Sequence, residues 1–295
     1  MNIPLESLGS RWWELESLSS WTTLKLGGAA KVLCRVENEN EFFEVINWAD
    51  HHELPVLMLG GGSNSLFSDQ GFKGVVIVLG GEFMKMEILQ EEILLGSGLS
   101  ISSAISHLTQ QGISSLSGLY GMPGTIGGTV VMNGGTKWGT ISDHLLRVKT
   151  YESGWRKIKA EEMDYRKGIS EILLKVMINR EDMPAEQIEN LFAEIRKYRD
   201  DHFPKANRTA GSVFKNPPGD YAGALIERCG WKGKSYQQVK VSDKHANFFI
   251  TEPGASTQQF LTLMEQVKQD VLKKCSIELN PELRIYDYEG NLIEG

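Results

Sequence analysis

Leu59-Gly60-Gly61-Gly62-Ser63-Asn64 decides the reading of this chain, because it directly follows an apolar run, Pro55–Leu59, that reads as a strand. Three successive glycines permit positive φ and let the backbone approach a ligand closely. Consecutive N–H groups in such a turn can form a nest for an anion. No Gly-Lys-Ser/Thr follows, so this is not a Walker loop. No GxGxxG opens a helix anywhere in the chain, so it is not a Rossmann fingerprint either. Taken alone, the stretch reads equally well as a flexible turn. A second loop shifts the balance: Gly121-Met122-Pro123-Gly124-Thr125-Ile126-Gly127-Gly128, closed by Thr129-Val130-Val131-Met132-Asn133. One rigid proline and several glycines make a second backbone-lined surface. Two such loops in one body suggest the two ends of one phosphate-rich ligand, such as the pyrophosphate of a dinucleotide.

Outward from these loops the pattern is mixed α/β. Lys31–Val36, Val75–Leu79 and Glu92–Ser97 read as further strands. Asn40–Glu53 reads as a helix whose apolar face is Phe42, Phe43, Val45, Ile46 and Ala49, and Ser100–Gln111 as a second helix stopped by Gly112. Strands resume at Leu146–Tyr151 and Glu171–Ile178. Pro184 opens a long helix with Ile188, Leu191, Phe192, Ile195 and Tyr198 on one stripe. The charged stretch Arg199–Arg208 is the expected connection to a second domain. There Asp220 is expected to cap a short helix that Gly230 ends, Asn247–Thr251 and Leu283–Tyr286 read as strands, and Phe260 to Val271 mark a last helix.

Bulk composition narrows the function classes. The 295 residues are 41% hydrophobic and 23% charged, an ordinary globular balance. A net charge of −7 gains nothing from counterion release, which disfavours nucleic acid as a partner. Cys34, Cys229 and Cys275 are far apart and odd in number, suggesting neither a disulfide framework nor a metal site. No run reaches membrane-span length and the first 20 residues lack a signal-peptide core, so the expected location is the cytoplasm.

Ala210-Gly211-Ser212-Val213-Phe214-Lys215-Asn216-Pro217 sets a serine on a small-residue turn. An esterase elbow needs glycine two residues to either side of its serine, and here those positions are Ala210 and Phe214. Ser212 therefore reads as a proton donor or a turn residue rather than a nucleophile.

Taken together, these motifs resemble the UDP-N-acetylenolpyruvoylglucosamine reductase (UDP-N-acetylmuramate dehydrogenase) family, in order along nearly the whole chain. Thr22–Gly28, Leu59–Asn64, Gly121–Asn133, Asp164-Tyr165-Arg166, Ala210–Pro217, Lys244–Phe248 and Leu279–Arg284 carry the likeness. The chain's length resembles the subclass that lacks an extra substrate-capping loop. The resemblance implies a two-lobed FAD-binding body of the vanillyl-alcohol-oxidase-like type, residues 1–201 with lobes about 1–54 and 55–201. It also implies a smaller C-terminal α+β substrate domain, 202–284, with 285–295 expected to pack back on the first lobe. The implied reaction passes hydride from NADPH to bound FAD and on to an enolpyruvyl UDP-sugar, giving UDP-N-acetylmuramate for peptidoglycan.

The implied roles make chemical sense. Arg166 would stabilise the enolate formed by hydride addition, Ser212 would protonate the carbanion, and Glu282 would donate a proton or orient water. Gly60, Gly61, Gly62, Ser63, Asn64, Pro123, Gly124, Thr125, Gly127, Gly128 and Asn133 would bind the cofactor, and Tyr165, Lys215 and Asn216 the substrate. No metal is expected. The rival reading is another FAD-linked oxidoreductase of the same superfamily, acting on an alcohol or sugar. The chain departs from the family at Gly168, where a serine is usual, at Phe203 before Pro204, at Gln237-Gln238-Val239, and at Trp138 in place of tyrosine.

Overall fold

The computed structural model describes residues 11–206 and 208–293. The first ten residues of the expected 1–54 lobe, Asn207 in the 199–208 connection, and the last two residues of the 285–295 segment lie outside the described residues.

The first lobe comprises β1 (Arg11–Ser17), β2 (Ala29–Val36), α1 (Glu39–His51), β3 (Val56–Met58), β4 (Ser65–Phe67) and β5 (Phe72–Leu79). Its sheet has the order β1-β2-β5-β3, with β2, β5 and β3 parallel and β1 antiparallel. Asn38 starts α1 by accepting a hydrogen bond from Glu41 N at 3.0 Å. Phe42, Val45, Trp48 and Ala49 then pack on Val32, Cys34, Val36, Val75 and Ile77. Phe43, expected on that face, is exposed, and Trp48 takes its place. The opposite face of the sheet is buried by Leu18, Phe67, Phe72 and Tyr286, as a parallel sheet requires. The expected lobe division near residue 54 therefore falls inside this sheet. Strands β3 and β5 complete the crossover begun by β2 and α1, so the lobe continues through Leu79.

The second lobe contains β6 (Met86–Ile88), β7 (Glu92–Gly96), α2 (Ile101–Thr109), α3 (Ile126–Val131), β8 (Gly135–Thr136), β9 (Gly139–Thr140), β10 (Leu145–Thr150), β11 (Gly154–Lys157), β12 (Leu173–Asn179) and α4 (Ala185–His202). Its antiparallel sheet runs β11-β10-β12-β7-β6 and is covered by α2, α3 and α4 through Ile101, Ile105, Ile126, Ile188 and Phe192. The first residues of the expected 199–208 connection are the last turn of α4. Phe203 ends the helix because the following Pro204 forces it into extended backbone (φ −107°, ψ 145°).

The C-terminal part holds α5 (Ala222–Arg228), β13 (Ser235–Tyr236), β14 (Val239–Val241), β15 (Phe249–Thr251), α6 (Thr257–Cys275) and β16 (Arg284–Tyr286). Its core of Phe214, Phe249, Phe260, Leu263 and Val267 also takes in Leu24, Leu26 and Leu66 from the first lobe. Asp220 does not cap α5: Asn216 Oδ1 accepts the Ala222 N–H at 3.0 Å, while Asp220 pairs with Arg228. Strand β16 leaves this domain and pairs in parallel with β4, stacking Tyr286 on Phe67 with ring centroids 5.2 Å apart. The chain beyond it stays on the first lobe, where Lys73 N donates to Tyr288 O at 2.9 Å.

Candidate active site

A cavity of about 1130 Å³ opens between the lobes and the C-terminal domain. The first glycine loop reaches it straight from β3, and the second from the turn before α3. The two loops touch through their backbones. A Cβ added at Gly61 would lie 2.8 Å from Gly124 Cα, and one at Gly60 would lie 2.7 Å from Thr125 Oγ1. Gly62 has φ +60°, and a Cβ there would meet Trp21 O at 2.0 Å. The glycines are thus required twice, for conformation and for close approach. Gly60–Asn64, Pro123, Gly124, Thr125, Gly127, Gly128 and Asn133 all line the cavity. Asn133 Nδ2 donates to Asp164 O at 3.1 Å, leaving Oδ1 buried without a protein partner, as is Ser97 Oγ. Asn64 also braces the opposite wall: Nδ2 donates to Glu282 O at 3.1 Å, and its carbonyl accepts Arg284 N at 3.0 Å.

The serine turn is clamped by two motifs distant in sequence. Val213 N donates to Asn247 O, Phe214 N donates to Asn247 Oδ1, and Asn247 Nδ2 donates to Phe214 O, at 2.8–3.0 Å. On the other side Glu282 N donates to Val213 O and Lys215 N to Asn280 O, both at 2.8 Å. Ser212 sits between them, after Gly211 at φ +78°. The segments 244–248 and 279–284 therefore support this turn. His245 Nδ1 accepts the Asn247 N–H at 3.2 Å, and burial lowers its pKa, so it serves as a neutral brace.

Arg166 comes from a tight turn closed by the Asp164–Lys167 pairing, with φ +55°. Its Nε lies 2.7 Å from Glu282 Oε1, and Nη1 donates to Gly135 O at 3.4 Å. Burial pushes the Glu282 carboxyl above its ordinary range, opposed by Arg166 and Lys215. Ser212, Arg166, Glu282, Tyr165 and Asn216 all line the cavity; Lys215 does not, and it acts on Glu282 only as a nearby charge.

The sequence reading passed over several lining residues. Phe203 stacks on Phe248 (5.2 Å, 23°), and Lys137 Nζ lies 3.7 Å over the Tyr198 ring and 4.4 Å over Trp138. Arg199 is half-buried beside Gly121. The substitutions at Phe203 and Trp138 were the available signal, since large rings beside a glycine-rich loop need something to pack on. Gly168 also has a local cause: a Cβ there would lie 1.9 Å from Val130 O, so the usual serine does not fit this backbone.

Residues 30–153 match the FAD binding domain family, and residues 201–286 match the UDP-N-acetylenolpyruvoylglucosamine reductase C-terminal domain. A UDP-N-acetylenolpyruvoylglucosamine reductase of Bacillus velezensis is 33% identical over 92% of this chain and 93% of its own length. This chain belongs to the UDP-N-acetylenolpyruvoylglucosamine reductase family. The Bacillus subtilis reductase is 30% identical over 92% of both chains. The crystal structure of the Thermus caldophilus reductase superposes with a TM-score of 0.82 at 32% identity, covering 94% of this chain and 99% of that one. The fold is accordingly the reductase family's two-lobed FAD-binding body with an α+β C-terminal domain. Among the described residues no helix is long and apolar enough to cross a membrane.

Proposed function

We propose that this chain reduces UDP-N-acetylglucosamine enolpyruvate to UDP-N-acetylmuramate, with FAD bound and NADPH as hydride source, in cytoplasmic synthesis of peptidoglycan precursors. The observation that carries the reading is one cavity lined by both glycine loops and by Ser212, Arg166 and Glu282. Its volume exceeds the upper end of the roughly 300–1,000 Å³ range of ordinary small-molecule sites. That suits a dinucleotide together with a sugar substrate. The cofactor fits what the residues offer: glycines that tolerate no Cβ, and unpartnered buried acceptors at Ser97 and Asn133.

When bound, FAD supplies the redox chemistry, accepting hydride from NADPH and passing it to the terminal enolpyruvyl carbon. Everything else falls to the chain. Gly60–Asn64, Pro123–Thr125, Gly127 and Gly128 offer backbone N–H groups and close approach to a pyrophosphate. Tyr165 and Asn216 hold the substrate at the cavity wall, with Lys215 as a more distant cation. Hydride addition leaves negative charge on the carbon beside the substrate carboxylate, and the Arg166 guanidinium stabilises that charge as it develops. The Glu282 carboxyl, its pKa raised by burial, donates to the enolate oxygen when protonated or orients a water when ionised. The Ser212 hydroxyl gives its proton to the carbon; a weak acid suffices because the carbanion is a strong base.

Ser212→Ala is the test. Flavin bleaching by NADPH should proceed normally, while its anaerobic reoxidation by the enolpyruvyl UDP-sugar slows ~10²-fold or more. Reoxidation at the wild-type rate would remove Ser212 from the mechanism. Failure of the wild-type protein to be reoxidised by that substrate would overturn the assignment itself.

A further inference from the structure

Cys229 and Cys275 lie 46 positions apart, yet their Sγ atoms are 3.7 Å apart. Cys229 follows the last turn of α5, where its N–H donates to Leu225 O at 3.0 Å, and it is 5% exposed. Cys275 is the last residue of α6 and is partly exposed. Lys274 Nζ donates to Cys229 O at 3.2 Å, so an ammonium sits beside the pair. Arg228, next in sequence to Cys229, is engaged by Asp220. Neither thiol belongs to the cavity wall, and no step of the proposed reaction uses them.

We propose that Cys229 and Cys275 form a redox-active dithiol that a peroxide oxidises to an intramolecular disulfide. Cys275 is the thiol a solvent-borne oxidant reaches, because its partner is buried. Its thiolate attacks one peroxide oxygen and the O–O bond breaks. The sulfur becomes a sulfenic acid, and the other oxygen leaves as alcohol or water after taking a proton. Cys229 sulfur then attacks the sulfenic sulfur; the S–O bond breaks, and the hydroxide leaves as water with the Cys229 proton. Two thiols lose two electrons in total and the peroxide gains them. Burial raises the Cys229 pKa, which suits a partner that stays protonated until that second step. Closing the sulfurs from 3.7 Å to a bond of roughly 2 Å draws together two residues that both sit at helix ends, not within a sheet.

The bond would tie the end of α5 to the end of α6. The start of α5 is bonded to Asn216 in the cavity wall, so the modification would fasten the element carrying that wall. It would also close a 46-residue loop of the unfolded chain and raise the thermal midpoint, by about 5 °C.

The test treats the folded protein with stoichiometric hydrogen peroxide, blocks remaining thiols, then denatures and maps peptides. The expected result is a 229–275 cross-linked peptide reversed by dithiothreitol, with the thiol of Cys34, buried in the first lobe, not oxidised. In Cys229→Ser, dimedone should label Cys275 at a sulfenic acid. Accumulation of sulfinic acid at Cys275 with Cys229 still free in the wild type would overturn the proposal. So would a cross-link to Cys34, or unchanged thiols when exposed methionines are already oxidised.

Discussion

Glu282 carries the sharpest residue-scale consequence. Its folded-state pKa is raised by burial, with Arg166 and Lys215 pulling the other way. A carboxyl raised above its unfolded value favours the native state while protonated, and that contribution is lost as pH climbs through the folded pKa. Glu282→Gln cannot ionise. Its unfolding midpoint relative to wild type should therefore rise as pH increases from about 4.5 into the neutral range. The pairing with Arg166 is felt only where Glu282 is ionised and is already contained in the net upward shift, so the slope against pH is what matters. A flat difference across that range would mean the carboxyl is not raised. Ser212 and Arg166 teach a complementary lesson. Both stood out in sequence through their neighbours, Gly211 and Tyr165, but the pairing of Arg166 with Glu282 spans residues that no local pattern links.

At the scale of elements, the glycine loops are legible because their conformation is local. Positive φ at Gly62, Gly121 and Gly124 is a property of the sequence, readable without a partner. Their mutual contact is not. Gly61→Ala would set a Cβ 2.8 Å from Gly124 Cα, and backbone on both sides leaves no flexible atom to yield. The variant should fold, with unchanged far-ultraviolet circular dichroism, but bind flavin at least about tenfold more weakly by fluorescence titration. Unaltered affinity would mean the loops can separate without consequence for the ligand. The helices were legible from periodicity, yet Trp48 replaced Phe43 on α1, and Asn216 took the capping role expected of Asp220. A helix face is set by what it packs on, and a cap by whichever side chain the turn brings to the free N–H.

The whole molecule is held by contacts that cross domain boundaries. Asp69 of the first lobe accepts Thr257 N at 2.8 Å and Gln258 N at 2.9 Å, capping α6 from another domain, while Thr257 Oγ1 donates to Phe67 O at 2.7 Å. Asp69→Ala should lower unfolding free energy by about 1 kcal/mol in urea titrations, as loss of a helix cap does. No change would show that the Ser256 capping box alone satisfies that helix end. Thr22–Gly28 has a similar role: Leu24 and Leu26 fill the C-terminal core, and Leu24 O accepts Thr251 Oγ1 at 2.6 Å. By itself the sequence determined the α/β class, the two glycine loops, the serine turn and the order of motifs that marks the family. Each of these depends on local backbone freedom or on hydrophobic period. Only the tertiary structure decided where the first lobe ends, that Asn247 and Asn280 clamp the serine turn, and that Cys229 meets Cys275. Such contacts join segments tens to hundreds of residues apart. Strand pairing and core packing fix them, and no single segment encodes them.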